Sequence, residues 1–211
     1  MTASPLIRAI VFDLDGTLYV SPEYAATIQS AAAAYMAGVL AMEVVDVCDL
    51  MSATRKRLAE ERGTVQTLSA VCTELGGNTR DMHAYFEKVL LPEELLVGDS
   101  RVAELMEQLC SRFDLYIYTN NSSVMTNRIL EQLSLGRYFK RIFAIDDIWR
   151  SKPDETVLEQ VLTTTGFKPE QVLFVGDRYD VYLRLPEQKG CPIYLSQSVD
   201  QLLRLGKILS N

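Results

Sequence analysis

The stretch Arg8-Ala9-Ile10-Val11-Phe12-Asp13-Leu14-Asp15-Gly16-Thr17-Leu18 decides the fold class. Its first five residues form a short apolar run rich in β-formers, and such runs suit a strand buried on both faces of a parallel sheet. The character then changes at once, to two carboxylates two residues apart followed by a glycine. Four later runs repeat the apolar pattern: Phe113–Tyr118 (FDLYIY), Arg141–Ile145 (RIFAI), Val172–Val175 (VLFV) and Pro192–Leu195 (PIYL). Between them lie stripes at helical spacing: Val102, Leu105, Met106 and Leu109, then Ile129, Leu130 and Leu133, then Val157, Leu158, Val161 and Leu162. Pro153 and Asp154 stand where the last of these helices should begin. Strand alternating with helix predicts an α/β fold with a doubly wound parallel sheet.

The interval from Pro22 to Leu96 breaks this rhythm. It holds no convincing strand, and helical runs are expected near Glu23–Met36, Val44–Glu61, Thr64–Leu75 and Arg80–Leu90, punctuated by Gly63, Gly76–Gly77 and Pro92. The expected organisation is an α/β core of residues 1–20 and 97–211 with an α-helical insertion of residues 21–96. Such an insertion either decorates the core or forms a lid. The lid is the preferred reading, because the chain departs just beyond the first strand's carboxyl end, where open α/β sheets bind ligands.

Bulk properties narrow the function classes. The 211 residues suffice for one substantial core and a small added module. A net charge of −7 and a pI near 4.9 argue against a nucleic-acid binder, which would need a basic face. They leave room for a small anionic substrate in a cleft made locally positive by a cation. Cys48, Cys72, Cys110 and Cys191 form no CxxC pair and are expected to be small buried hydrophobes in a reducing compartment. No signal-peptide pattern opens the chain, and no run reaches about 18 apolar residues. The expected setting is the cytoplasm, with no membrane partner, as a monomer or weak homodimer.

The residues at the strand ends carry the chemistry. Asp13 and Asp15 can converge on one hard cation; Asp13 is placed to attack phosphorus and Asp15 to exchange protons with a leaving oxygen or a water. Gly16 permits the sharp turn. A lone DxD would more simply cap a turn. The second run ends in Thr119-Asn120-Asn121-Ser122, where a hydroxyl and backbone N–H groups can cradle phosphate, or where Ser122 or Asn121 caps a helix. The third is followed by Ser151-Lys152-Pro153-Asp154, whose lysine either neutralises phosphoryl oxygens or is merely solvated. The fourth runs into Gly176-Asp177-Arg178-Tyr179-Asp180, and Asp177 offers a further carboxylate or a turn residue. Parallel topology would gather all four ends on one side.

DLDGTL, then T-N-N, then S-K-P, then G-D-R-x-D resembles the haloacid dehalogenase superfamily along the whole chain, with the insertion resembling the helical cap of its C1-capped branch. The resemblance implies a Rossmann-like core and a Mg²⁺ cofactor. It implies Asp13 as the nucleophile that forms an aspartyl-phosphate and Asp15 as general acid and base. Thr119 and Asn120 would bind the phosphoryl group, and Lys152 would steady nucleophile and phosphate. Metal ligands would come from Asp13, Asp15 (through its carbonyl) and Asp177. One departure stands out. The family usually places a second acid four or five positions after the first acid of the fourth motif. Val181 and Tyr182 occupy those positions, so either the acid is lost or Asp180 replaces it through a shifted turn.

Asp15 favours phosphate-ester cleavage over dehalogenation, because an alkoxide needs a proton to leave and a halide does not. The expected substrate is a small phosphorylated metabolite. The motifs are similar to those of the pyrimidine 5′-nucleotidase and phosphoglycolate phosphatase branches, which leaves nucleotides, sugar phosphates and phosphoglycolate open. A phosphomutase and a catalytically weakened binding protein are the alternatives. Tyr19, Tyr24, Tyr35 and Tyr85 are read first as packing residues. The sole histidine, His83, is read the same way, and Arg55-Lys56-Arg57 as a solvated helix face.

Overall fold

The computed structural model describes residues 7–210. Two compact units divide the chain: Met1–Val20 together with Leu96–Asn211, and Ser21–Leu95. The first carries strands β1 (Ala9–Phe12), β2 (Asp114–Tyr118), β3 (Arg141–Phe143), β4 (Val172–Gly176) and β5 (Ile193–Leu195). All pair in parallel, in the order β3-β2-β1-β4-β5. β1 is therefore central: Phe12 stands level with Ile117 of β2 on one side and Val175 of β4 on the other. The sheet grows outward from β1 in one direction as far as β3, then in the other through β4 to β5. This reversal opens a crevice at the strands' carboxyl ends.

The second unit is all helical, with α1 (Pro22–Leu40), α2 (Val44–Arg62), α3 (Leu68–Glu74), α4 (Thr79–Val89) and the short α5 (Pro92–Leu95). Ser21 caps α1 through its side chain, and Asn78 does so for α4. Ala31, Ala32, Ala33 and Met36 line the buried side of α1, with Leu58 of α2 and Met82 of α4 also fully buried. The expected helix from Thr64 begins only at Leu68, because Thr67 adopts an extended backbone and its hydroxyl accepts the Ala70 N–H as a cap.

The α/β unit adds α6 (Ser100–Cys110), α7 (Ser123–Gln132), α8 (Glu155–Thr165), α9 (Arg184–Gln188) and α10 (Val199–Ser210). One face of the sheet presents Ala9, Val11, Tyr116, Tyr118, Val172 and Phe174, and α8 packs there through Val157, Leu158 and Val161. This alternation is the pleat at work, and both faces are covered, so the strands read as unbroken apolar runs. β3 stops at Phe143 rather than Ile145. Ala144 and Ile145 stay buried while the chain turns into a 3₁₀ segment, Ile145–Asp147. Pro153 lies outside α8, whose cap is Asp154. Cys72 and Cys191 are buried as expected, but Cys48 and Cys110 are exposed: both lie on helices whose apolar stripe faces elsewhere.

Candidate active site

The ends of β1, β2 and β4 and the loop between β3 and α8 supply the polar groups. Asp13 follows β1 directly, and its N–H donates to the Val175 carbonyl of β4 at 2.9 Å. The residue is 2% exposed. Oδ1 accepts from Lys152 Nζ at 2.6 Å and from the Leu14 N–H at 2.9 Å. Oδ2 is buried and has no hydrogen-bond partner. One carboxylate oxygen is thus fixed, and the other is left for an incoming group.

Lys152 is 1% exposed and also donates to the Tyr118 carbonyl at the end of β2, at 2.8 Å. Asn120 holds the lysine's own backbone, its side-chain oxygen accepting the Lys152 N–H at 2.8 Å. Asn120 is therefore committed to positioning the Lys152 loop. Burial pulls the ammonium below the ordinary lysine range, and the adjacent Asp13 opposes that shift.

Asp15 is gripped on both oxygens. Tyr19 Oη donates to Oδ1, and Asn121 Nδ2 donates to Oδ2 at 2.7 Å. Burial raises its pKa first, the Tyr19 hydrogen bond opposes, and the charge of Asp13 adds to the rise. Thr119 is buried, and its hydroxyl accepts the Asn121 N–H at 3.1 Å, which shapes the turn after β2. Ser122 caps α7.

Asp177 follows β4. Gly16 sits at φ +78°, and a Cβ there would fall 2.5 Å from Asp177 Oδ2, so the first and fourth motifs meet through a gap that only glycine leaves. Asp177 Oδ1 is buried without a hydrogen bond and lies 3.5 Å from Arg178 Nε. Burial, and then the charge of Asp13, push this carboxyl up to about 6. Asp180 does not take the place of a second acid beside Lys152. It pairs with Arg184 at 3.5 Å, on a π-helical turn over Tyr179–Leu183 that buries Val181 and Tyr182.

The chain's family follows from its sequence as well as this geometry: the model of the haloacid dehalogenase-like hydrolases matches residues 7–181. The chain belongs to the haloacid dehalogenase-like hydrolase family. A phosphoglycolate phosphatase of Salmonella typhimurium is 31% identical over 204 residues, covering 88% of this chain and 79% of that protein. Phosphoglycolate phosphatase 1 of Pseudomonas aeruginosa is 31% identical over 187 residues, covering 85% and 66%. Solved structures share the fold at low identity. A haloacid dehalogenase-like phosphatase from Thermococcus onnurineus has a TM-score of 0.66 at 17% identity, covering 96% of this chain and 98% of that one. A 2-haloacid dehalogenase from Pseudomonas syringae has a TM-score of 0.62 at 18% identity, covering 97% and 99%.

Within this hydrolase the test for a cation is the donor set. Among the described residues no three His, Cys, Asp or Glu side chains cluster as an all-protein metal cage. The donors are two crowded carboxylates, Asp13 and Asp177, each with a buried oxygen that makes no hydrogen bond. Asp15 spends its side chain on Tyr19 and Asn121, which leaves its carbonyl. Mg²⁺ is commonly held by one or two carboxylates and completed by waters and substrate phosphate, so this set fits it.

Other candidates fall away. His83 is buried, with its ring edge-on to Phe86 at 5.7 Å. Arg57 pairs with Glu61 and Glu74 on an exposed face, whereas Arg55 is half-buried and bonds Gln29. Tyr35 bonds the Asn78 backbone and packs on Tyr85. Sequence reasoning missed Tyr19 and Asn121 as holders of Asp15, and Tyr118 and Tyr182 as neighbours of Lys152. Tyr19 lies four residues from Asp15 and Asn121 lies inside the T-N-N run, but neither spacing names its partner.

Proposed function

We propose that this hydrolase is a cytoplasmic, Mg²⁺-dependent phosphatase of small phosphate monoesters that works through an aspartyl-phosphate on Asp13. One observation carries the reading: a buried carboxylate with one oxygen fixed by Lys152 and the other unpartnered, next to a second carboxyl held at both oxygens. Bound Mg²⁺ would supply charge neutralisation for the phosphoryl oxygens, held by Asp13, Asp177 and the Asp15 carbonyl.

In the first step Asp13 attacks phosphorus, the bond from phosphorus to the ester oxygen breaks, and protonated Asp15 gives its proton to the departing alkoxide. In the second step Asp15, now ionised, takes a proton from water as that water attacks the phosphorus of the aspartyl-phosphate. Inorganic phosphate leaves and Asp13 is regenerated. Lys152 offsets negative charge as it spreads, and the Thr119 hydroxyl donates to a phosphoryl oxygen. The raised pKa of Asp15 suits it to hold a proton before donating it. The curated relatives make phosphoglycolate, a phosphate ester bearing a carboxylate, the leading substrate.

Phosphate release from phosphoglycolate, nucleoside monophosphates, sugar phosphates and p-nitrophenyl phosphate tests the reading. Mg²⁺-dependent release is expected from at least one, and Asp13→Asn should remove it without loss of the fold. Activity of that variant within tenfold of wild type would defeat the mechanism. The absence of a second acid beside Lys152 favours one other reading, a binding protein with weakened catalysis, and no release from any ester would select it.

A further inference from the structure

Lys152 is a cation with almost no exposure to water, and Asp13 is the carboxylate that hydrogen-bonds it. An ammonium has three N–H donors. One goes to Asp13 and one to the Tyr118 carbonyl. Around the rest of the headgroup stand two aromatic faces: Nζ lies 4.3 Å from the ring centroid of Tyr182 and 5.0 Å from that of Tyr118. Both distances are within the range in which the ring quadrupole attracts a cation, and burial strengthens the attraction.

The Tyr182 ring is itself locked. Its hydroxyl donates to the Val11 carbonyl of β1 at 3.0 Å, and it packs on Tyr118 with ring centroids 5.8 Å apart. Gly176 makes room for it, since a Cβ there would fall 2.4 Å from Tyr182 Cδ1. Three separate features, a hydroxyl tether, a ring neighbour and a glycine, thus converge on holding this ring against the ammonium.

We propose that Tyr182 is a positioning residue that, with Tyr118, clamps the Lys152 ammonium against Asp13 by its ring face. The clamp stabilises the cation without adding formal negative charge. A carboxylate in the same place would neutralise part of the lysine's charge. The ring leaves that charge available to an anionic group arriving at Asp13 Oδ2. Only the kinetic arm of the test below rests on the phosphatase reading.

The experiment replaces Tyr182 in the full chain with phenylalanine and its 4-fluoro, 3,5-difluoro and 3,4,5-trifluoro analogues. These change the ring's electrostatic face with little change in volume. Each is made beside native Lys152 and beside Lys152→Met. With native Lys152, Tm should fall stepwise by about 2–4 °C across the series, as expected for loss of about 1 kcal/mol in a chain of this size. In the Lys152→Met background it should stay flat. The kcat for phosphate release should fall in the same order as Tm. Equal slopes in both backgrounds would reduce Tyr182 to packing, and a flat series beside native Lys152 would remove the clamp. If Lys152→Met does not melt cooperatively, NMR reads the same contact. The Lys152 Hε resonances should be shifted upfield by ring current in wild type and lose that shift in Tyr182→Leu, and an unchanged resonance overturns the proposal. A protein that releases no phosphate yet shows the Tm pattern fails the phosphatase reading alone.

Discussion

Asp13, Asp15 and Asp177 crowd three carboxyls around one buried lysine, and their protonation should be readable in stability. Asp177 has an ordinary value of 3.8 and a folded value of about 6. Between these values the unfolded chain has lost the proton and the folded chain keeps it. The folded state therefore binds more protons, and the Asp177 contribution to stability falls as pH rises from about 4 to above 6. Metal-free protein should show this loss in thermal melts, and Asp177→Asn should lose less over the same window. Added Mg²⁺ should raise Tm more at pH 7 than at pH 5, because it favours the ionised carboxylates. A Mg²⁺ effect independent of pH would contradict this account. Asp15 makes a kinetic prediction. Asp15→Asn should slow alkyl phosphates by about 10²–10⁴-fold and p-nitrophenyl phosphate far less, since the aryl leaving group needs little protonation. Equal losses on both esters, measured as kcat/KM, would remove the acid role.

Lys152 lies two residues before Asp154, the cap of α8. Asp154 Oδ1 accepts the Val157 N–H at 3.0 Å, and its other oxygen meets Arg150 at 3.2 Å. Asp154→Ala should cost about 1 kcal/mol from the lost cap, a fall in Tm of about 2–4 °C. If the cap also holds the preceding turn, kcat falls with it, and an unchanged Tm would show that the cap contributes nothing. The elements themselves were legible to differing degrees. β1, β2 and β4 are buried on both faces, so their apolar runs end close to where the strands end. At β3 the pattern overran: Ala144 and Ile145 are buried whether the backbone is extended or turned, and periodicity cannot separate the two. At the site the strand-end residues were readable because each sits in a short local motif. Asn121 with Asp15 and Tyr182 with Lys152 were not readable, because those pairs are made by the sheet rather than by the chain. Tyr182 read as a missing acid, and only its ring position beside Lys152 gave it a partner.

The division of the chain into a helical unit and an α/β unit makes a prediction about cooperativity. Leu58 of α2 and Leu158 of α8 are each 1% exposed and belong to separate units. Truncation of either to alanine removes a buried isobutyl group and leaves a cavity, at a cost of about 2–5 kcal/mol. If each unit is its own cooperative block, the cost stays local. Leu58→Ala should speed amide hydrogen exchange throughout α1–α4 and leave β1, β2 and β4 as protected as in wild type. Leu158→Ala should do the reverse, exposing the sheet amides while α1–α4 keep their protection. Exchange measured peptide by peptide decides the matter. A uniform loss of protection across both units from either substitution would mean that the whole chain unfolds as one block. Asp13, Lys152 and Asp177 all come from the α/β unit. Local unfolding confined to the helical unit would then leave the Asp13–Lys152 pair assembled.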